Sequence, residues 1–214
     1  MFFVKQGNDG AKGFDLNQPL TPKTAIAFAS AGYSFCIRYL PRTAALVAGN
    51  LTAAEIDIIL NAALNLMAVQ HVAMPGWVPN AALGKSYGDY AASYAEAIGL
   101  PKGINIWLDL EEVASTSTAK DVSDYCRAWF ESMQSAGYLP GLYVGWQIVL
   151  SSQELYDLPF KHYWKAYNAD ISVATRGYQL VQHTQKMLNG ILYDPNTMTA
   201  DALGDLPIWL SPTH

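Results

Sequence analysis

The stretch Ile104-Asn105-Ile106-Trp107-Leu108-Asp109-Leu110-Glu111-Glu112 decides how the rest of the chain is read. It is an apolar run that ends in acidic residues, and the break Gly99-Leu100-Pro101 sets it off from what precedes it. Strands buried on both faces read as such runs, not as polar/apolar alternation. Side chains alternate along a strand, which puts Trp107, Asp109 and Glu111 on one face and Glu112 on the other. Two carboxylates on one face of a buried strand are costly unless something satisfies or uses them. In parallel α/β folds the carboxyl end of a strand is where ligands and catalysis sit. The end of this strand is therefore the candidate active site.

On either side of it the chain alternates between strand and helix. Gly13 to Asn17 reads as a first strand, and Thr21-Pro22 opens a helix that Gly32 closes. Phe35 to Leu40 is a second strand stopped by Pro41, and Thr52-Ala-Ala-Glu55 has the form of a capping box. Leu66 to Val72 is a third strand, followed by a Pro/Gly-rich loop carrying Trp77. An alanine-rich helix runs from Ser86 to Gly99, and the acidic strand comes next. Thr118 to Gly137 is amphipathic, with Val122, Cys126, Trp129, Phe130 and Met133 on its inner face. Leu142 to Trp146 is a fifth strand and Ile148 to Leu155 a short helix. After that, His162 to Tyr167, Tyr178 to His183 and Ile191 to Asp194 read as three strands with little helix between them. Five strand–helix repeats followed by three crowded strands predict an α/β fold, a single irregular TIM-like (β/α) barrel of eight strands spanning residues 1–214. A doubly wound open sheet is the alternative, and it lacks a phosphate-binding glycine motif after any strand.

With 214 residues, 51% of them apolar and 14% charged, the chain is a compact globular protein. Its net charge of -5 argues against nucleic acid as a partner, and no run of about 18 apolar residues supports membrane insertion. No signal peptide is visible at Met1 to Gly7, so action outside the cytoplasm calls for an unseen route. Cys36 and Cys126 fall on apolar faces and read as buried reduced thiols. The four histidines, His71, His162, His183 and His214, show no metal-ligand spacing, and no cofactor or metal is expected.

In a closed barrel the acidic residues at strand ends converge on one mouth. Four qualify as catalytic candidates: Asp15, Asp109, Glu111 and Asp194. The first and eighth strands are neighbours, which sets Asp15 beside Asp194. Tyr39, Gln70, Tyr143, Trp164, Tyr167 and Gln182 stand at other strand ends as candidate substrate-binding groups. Paired carboxylates with aromatic platforms suit glycoside hydrolysis, and crowded carboxylates raise one another's pKa. The bland readings stand beside this one. A lone Asp in a first strand is more often a cap, Asp194-Pro195 is a common turn starter, and buried-strand aromatics more often pack a core. Glu112, on the opposite face, reads as structural.

Gly13-Phe14-Asp15, Trp107-Leu108-Asp109-Leu110-Glu111, Gly141-Leu142-Tyr143 and Tyr193-Asp194 resemble the motifs of the family 25 glycoside hydrolases, the Chalaropsis-type lysozymes. The resemblance spans roughly Gly13 to Asn196 and implies an irregular β/α barrel that cleaves peptidoglycan. It implies Glu111 as the catalytic acid, with Asp109 and Asp15 assisting and Asp194 matching the late acidic position. Phe35-Cys-Ile-Arg-Tyr-Leu40, Leu51-Thr-Ala-Ala-Glu55 and Gly99-Leu-Pro101 are closer to the related bacterial glycoside hydrolase-like domains, whose activity is not generally established. The expectation is a peptidoglycan-degrading, antibacterial glycosidase of the N-acetylmuramidase kind, acting at the cell wall or periplasm with peptidoglycan or a related glycan as partner. Delivery by a secretion or phage apparatus stays open. The alternative is a non-catalytic module holding cell-wall glycan in the same cleft. A barrel enzyme on a phosphorylated substrate is a remoter third.

Overall fold

The structure, a computed structural model, describes residues 2–45 and 49–213; His214 falls outside them. In chain order the elements are β1 (Phe2–Gln6), β2 (Lys12–Leu16), α1 (Pro22–Ser30), β3 (Phe35–Leu40), α2 (Ala53–Asn61), β4 (Asn65–Gln70), α3 (Ala81–Ala97), β5 (Asn105–Leu110) and α4 (Ala119–Ser135). They continue with β6 (Leu139–Val144), α5 (Ser152–Tyr156), β7 (His162–Lys165), β8 (Leu180–Gln182), β9 (Lys186–Leu188), β10 (Ile191–Met198) and β11 (Ile208–Pro212). Strands β2 to β8 pair in parallel in sequence order, and the β4–β5 pairing together with β10 closes an eight-stranded barrel. The predicted barrel is therefore present, with helices covering the side from β2 to β7 and none between β7 and β10.

The eighth barrel strand runs the other way. β10 is antiparallel to both β2 and β8, because a short hairpin from β9 feeds it instead of a helical crossover. The turn is Asn189-Gly190, both with positive φ (50° and 82°), the pair that a tight hairpin turn demands. β1 and β11 pair with each other, and β11 meets β4 at Leu210↔Leu66, filling the gap where the amino-terminal ends of β4 and β5 part. The Asn105 side chain accepts from the Ile208 amide at 2.7 Å, and Ser211 donates to Asn65 at 2.6 Å, fixing that wedge.

Local sequence explains most element ends. Thr118 and Asp121 form a reciprocal capping box on α4, as the sequence predicts. Asn80, not a residue near Ser86, caps α3; its side chain accepts from the Leu83 amide at 2.9 Å, so the helix starts a turn and a half earlier than predicted. The capping box at Thr52 is only half made. Thr52 accepts from the Glu55 amide, but the Glu55 carboxylate turns inward to the Arg38 guanidinium at 2.7 Å and accepts the Leu20 amide at 2.8 Å. Both members of this ion pair are buried in the layer between barrel and helices.

The barrel interior is filled, not hollow. Phe35, Ile37, Met67, Val69, Trp107, Trp164, Leu180, Met198 and Trp209 form one buried cluster inside it. Trp209, carried in by β11, packs against Phe35 and closes the bottom. Gly141 is required by this filling, since a Cβ there would lie 2.4 Å from the Trp107 ring. Cys36 and Cys126 are buried free thiols in the outer layer, as expected.

Candidate functional site

Above this apolar filling the inward face turns acidic. Asp15 follows Gly13 on β2 and stands beside Asp194 of β10, the two being register partners. Asp15 is enclosed: one carboxylate oxygen accepts from Gln182 Nε2 (3.0 Å) and Asn196 Nδ2 (2.7 Å), and the other from the Tyr39 hydroxyl (3.4 Å). Three donors favour its ionised form, yet burial, reinforced by the Asp194 charge, pushes its pKa up to about 7. Asp194 is half-buried and also raised by burial, with a Gln185 hydrogen bond pulling the other way.

Asp109 sits on β5 beneath these groups, nearly sealed from solvent, with one carboxylate oxygen lacking a partner. Burial and then the Glu111 and Asp15 charges raise its pKa well above the carboxylate range, against one stabilising bond from the Val72 backbone. Both effects favour its neutral form. Glu111 lies one residue beyond the strand end and is only partly buried; burial and the Glu112 charge push it up to about 7. Gly145 makes room for it. A Cβ on Gly145 would stand 2.3 Å from Glu111 Cβ and 2.6 Å from its Oε2.

Glu111 is held by the loops that follow β4, β5 and β6. Trp77 Nε1 donates to the Glu111 carbonyl (2.9 Å), and the Gly76 amide to the Glu112 carbonyl (2.8 Å). Glu112 and Val113 donate in turn to the carbonyls of Trp146 (2.8 Å) and Gln147 (3.0 Å). The lacing is bought with strained backbone: Glu112, Gln147 and Val149 all have φ between 52° and 67°, and such a conformation in a β-branched residue like Val149 is an outlier of the kind that clusters at functional sites. Glu112 has a left-handed backbone, φ 52°, so the strict strand alternation behind its expected placement does not extend to it. β5 ends at Leu110, alternation stops there, and the Glu112 charge acts on both Glu111 and Asp109.

The amino-acid sequence between residues 26 and 198 matches the profile of the Rv2525c-like, glycoside hydrolase-like domain. The chain belongs to that family. No curated protein sequence is matched. Among solved structures this Rv2525c-like chain is similar to an uncharacterized B. stearothermophilus protein (TM-score 0.71, 20% identity, covering 88% of this chain and 96% of the other). It is also similar to a family 25 glycosyl hydrolase from Bacillus anthracis (TM-score 0.60, 16% identity, 88% of each chain) and a muramidase from Trichobolus zukalii (TM-score 0.62, 15% identity, 88% and 93%). At these identities the likeness is one of fold. Both sequence resemblances are thus met: the family is the glycoside hydrolase-like one, and the fold is shared with family 25 enzymes and muramidases.

Of the expected binding residues in this Rv2525c-like barrel, Tyr39, Tyr143 and Gln182 reach the acidic cluster. The Tyr143 hydroxyl donates to Gln182 Oε1 at 3.0 Å, and Gln182 Nε2 donates in turn to Asp15 Oδ2. Trp164 faces inward but lies in the filling below the site, 1% exposed, packed edge-on against Tyr143 and Trp107 with its Nε1 donating to Asn196 at 2.8 Å. It is no platform for a ligand. Gln70 points the other way altogether. It accepts from Trp129 Nε1 (2.7 Å) and donates to the Tyr87 carbonyl (2.8 Å) in the layer between β4 and the helices. Tyr167 is 59% exposed beyond the end of β7, and Trp146, which sequence reasoning assigned to a strand, is 47% exposed beyond β6. Asn196 was missed as a site residue, though it lies two residues after Asp194 on the same face of one strand. Among the described residues no group of three or more His, Cys, Asp or Glu is arranged to hold a metal ion.

Proposed function

We propose that this chain hydrolyses the glycan strand of peptidoglycan as an N-acetylmuramidase, with Glu111 as the general acid. One observation carries the reading. Glu111 is the acid at the open edge of a four-carboxylate cluster, and it is held protonated up to about pH 7. A protonated carboxyl within reach of a glycosidic oxygen can donate to the leaving group as the bond breaks. Positive charge then developing on the anomeric carbon of the ring that stays behind faces Asp15, Asp109 and Asp194, the remaining acids of the cluster. A water attacks that carbon, giving up its proton to a carboxylate of the cluster. Asp15 is oriented for this by Tyr39, Gln182 and Asn196. The fold shared with a family 25 glycosyl hydrolase and a muramidase supports the substrate class. Such a site acts at the cell wall or periplasm, reached by a secretion or phage delivery route.

A second reading is favoured by the enclosure of Asp15, whose two oxygens are both taken by protein donors. It is a glycan-holding module in which the exposed rings of Trp146 and Tyr167 at the rim bear the sugar. Incubation with purified peptidoglycan, followed by mass spectrometry of the soluble fraction, separates the two. Fragments ending in reducing N-acetylmuramic acid support the muramidase. Co-sedimentation with the wall without fragment release supports the holding module.

A further inference from the structure

Beside the acidic cluster, in the loops after β3 and β4, lies a separate cavity of about 260 Å³ walled by Arg42, Thr43, Ala45, His71, Val72 and Met74. Its chemistry is the reverse of the cluster's. Arg42 forms no ion pair among the described residues. Its guanidinium donates to the Val72 carbonyl and lies over the Tyr87 ring, 5.4 Å from the centroid, while its Nε is shut from solvent without a partner. His71 Nε2, in the same wall, is likewise enclosed and unpartnered. A half-buried guanidinium with no counter-charge is an unfavourable arrangement unless an anion completes it.

The cavity is wired directly to the carboxylates. Val72 offers its backbone to Asp109 on one side and its carbonyl to Arg42 on the other. Tyr39 stacks on His71, ring centroids 4.5 Å apart, while its hydroxyl reaches Asp15. A ligand with its anionic group here would have its neutral body over the acids. In a chain of net charge -5, an unpaired guanidinium joined to the acidic cluster through Val72 is a local feature and not part of a general basic surface.

We infer that this cavity is a carboxylate subsite: Arg42, assisted by His71, receives the acid group of an acidic sugar whose ring lies toward the cluster. The guanidinium fork matches a carboxylate's geometry, which an ammonium would not. The inference rests on the glycan reading above. It leaves two sources for the acid, a lactyl ether as in N-acetylmuramic acid or a uronic acid, and the experiment tells them apart.

Isotope-labelled protein is titrated with N-acetylmuramic acid, glucuronic acid and N-acetylglucosamine, and binding is followed by chemical shift. At least one acid should bind more tightly than N-acetylglucosamine, which lacks the carboxylate; which acid does so identifies the source. Arg42→Gln should erase the preference with a roughly 10- to 100-fold loss, the worth of hydrogen bonds to a charged group. Arg42→Lys, keeping charge but not the fork, should keep part of it, and His71→Gln should lose a smaller share. The melting temperature of each ligand-free variant reports its fold, and His71→Gln serves if Arg42→Gln does not fold. No preference for either acid in the wild type, a preference that persists undiminished in folded Arg42→Gln, or, where that variant does not fold, one undiminished in His71→Gln, overturns the subsite. Because binding needs no turnover, a protein that cleaves peptidoglycan without acid preference loses only the subsite, and one with the preference but no cleavage loses only the hydrolase.

Discussion

Charge is buried on both faces of the barrel wall, and the two sites treat it in opposite ways. On the outer face Arg38 and Glu55 neutralise each other, and their remaining groups are tied to the Leu16 and Gly49 carbonyls and the Leu20 amide. At the inner mouth Asp15, Asp109, Glu111 and Asp194 are gathered without an ion pair among the described residues, and all four are pushed toward the protonated form. The outer pair pins the start of α2 to β2 and β3. The inner cluster stores protons near neutrality, which is what a general acid needs and what stability alone would select against.

The same substitution, Glu to Gln, should therefore act oppositely at the two sites. Glu111→Gln cannot deliver a proton, so release of peptidoglycan fragments should fall by about 10²–10⁴-fold with the fold intact. Retention of most of that activity would remove Glu111 from the role. Glu55→Gln should leave the mouth chemistry alone but strand the Arg38 charge, lowering unfolding stability by about 3–5 kcal/mol in a denaturant titration. A loss below 1 kcal/mol would mean the carbonyls of Leu16 and Gly49 suffice for Arg38.

A pH series sharpens the contrast. Glu111 has its pKa raised from 4.5 to about 7, so the native state holds a proton the unfolded chain has released, and stability contributed by this group declines as pH rises through that window. His71 and His162, held neutral with pKa values near 4, act in the opposite sense between about 4 and 6.5, so the wild-type curve alone is blurred. The difference between Glu111→Gln and wild type isolates the group. The variant should match wild type below pH 4.5 and exceed it above pH 7, by on the order of 1 kcal/mol after allowing for partial exposure. A pH-independent difference would place the effect in packing. The smallest effect belongs to Glu112→Gln. Removing the charge that helps raise Glu111 should move the limb of the pH–activity profile assigned to Glu111 downward by a fraction of a unit, with the maximal rate little changed; an unmoved limb would show that burial alone sets the Glu111 pKa.

Much of this was legible before any coordinates. Doubly buried parallel strands write themselves as apolar runs, and Gly99, Thr118 and Gly137 mark helix ends clearly. The reversal of β10 was also written, in Asn189-Gly190, but the expectation of continued parallel strands masked it. What the sequence hides is which side of a doubly buried strand faces inward. Around Gln70 both parities are apolar, Leu66 and Ala68 against Met67 and Val69, so nothing marked Gln70 as outward. Height along a tilted barrel is equally silent: Trp164 shares the inward face with Tyr143 yet lies in the filling below the acids. The acids themselves were legible because a carboxylate in an apolar run has few structural excuses.

The wedge at the bottom of the barrel has an engineering consequence. Phe2 and Pro212 are register partners in the antiparallel β1–β11 ladder, which leaves these two residues about one strand spacing apart, roughly 5 Å. They meet on the side opposite the acids, where Leu210 pairs with Leu66 at the start of β4. A short linker joining them, with the backbone reopened elsewhere, gives a circular permutant whose acidic mouth is untouched. The same geometry lets a neighbouring module be tethered through either end without shadowing the cleft.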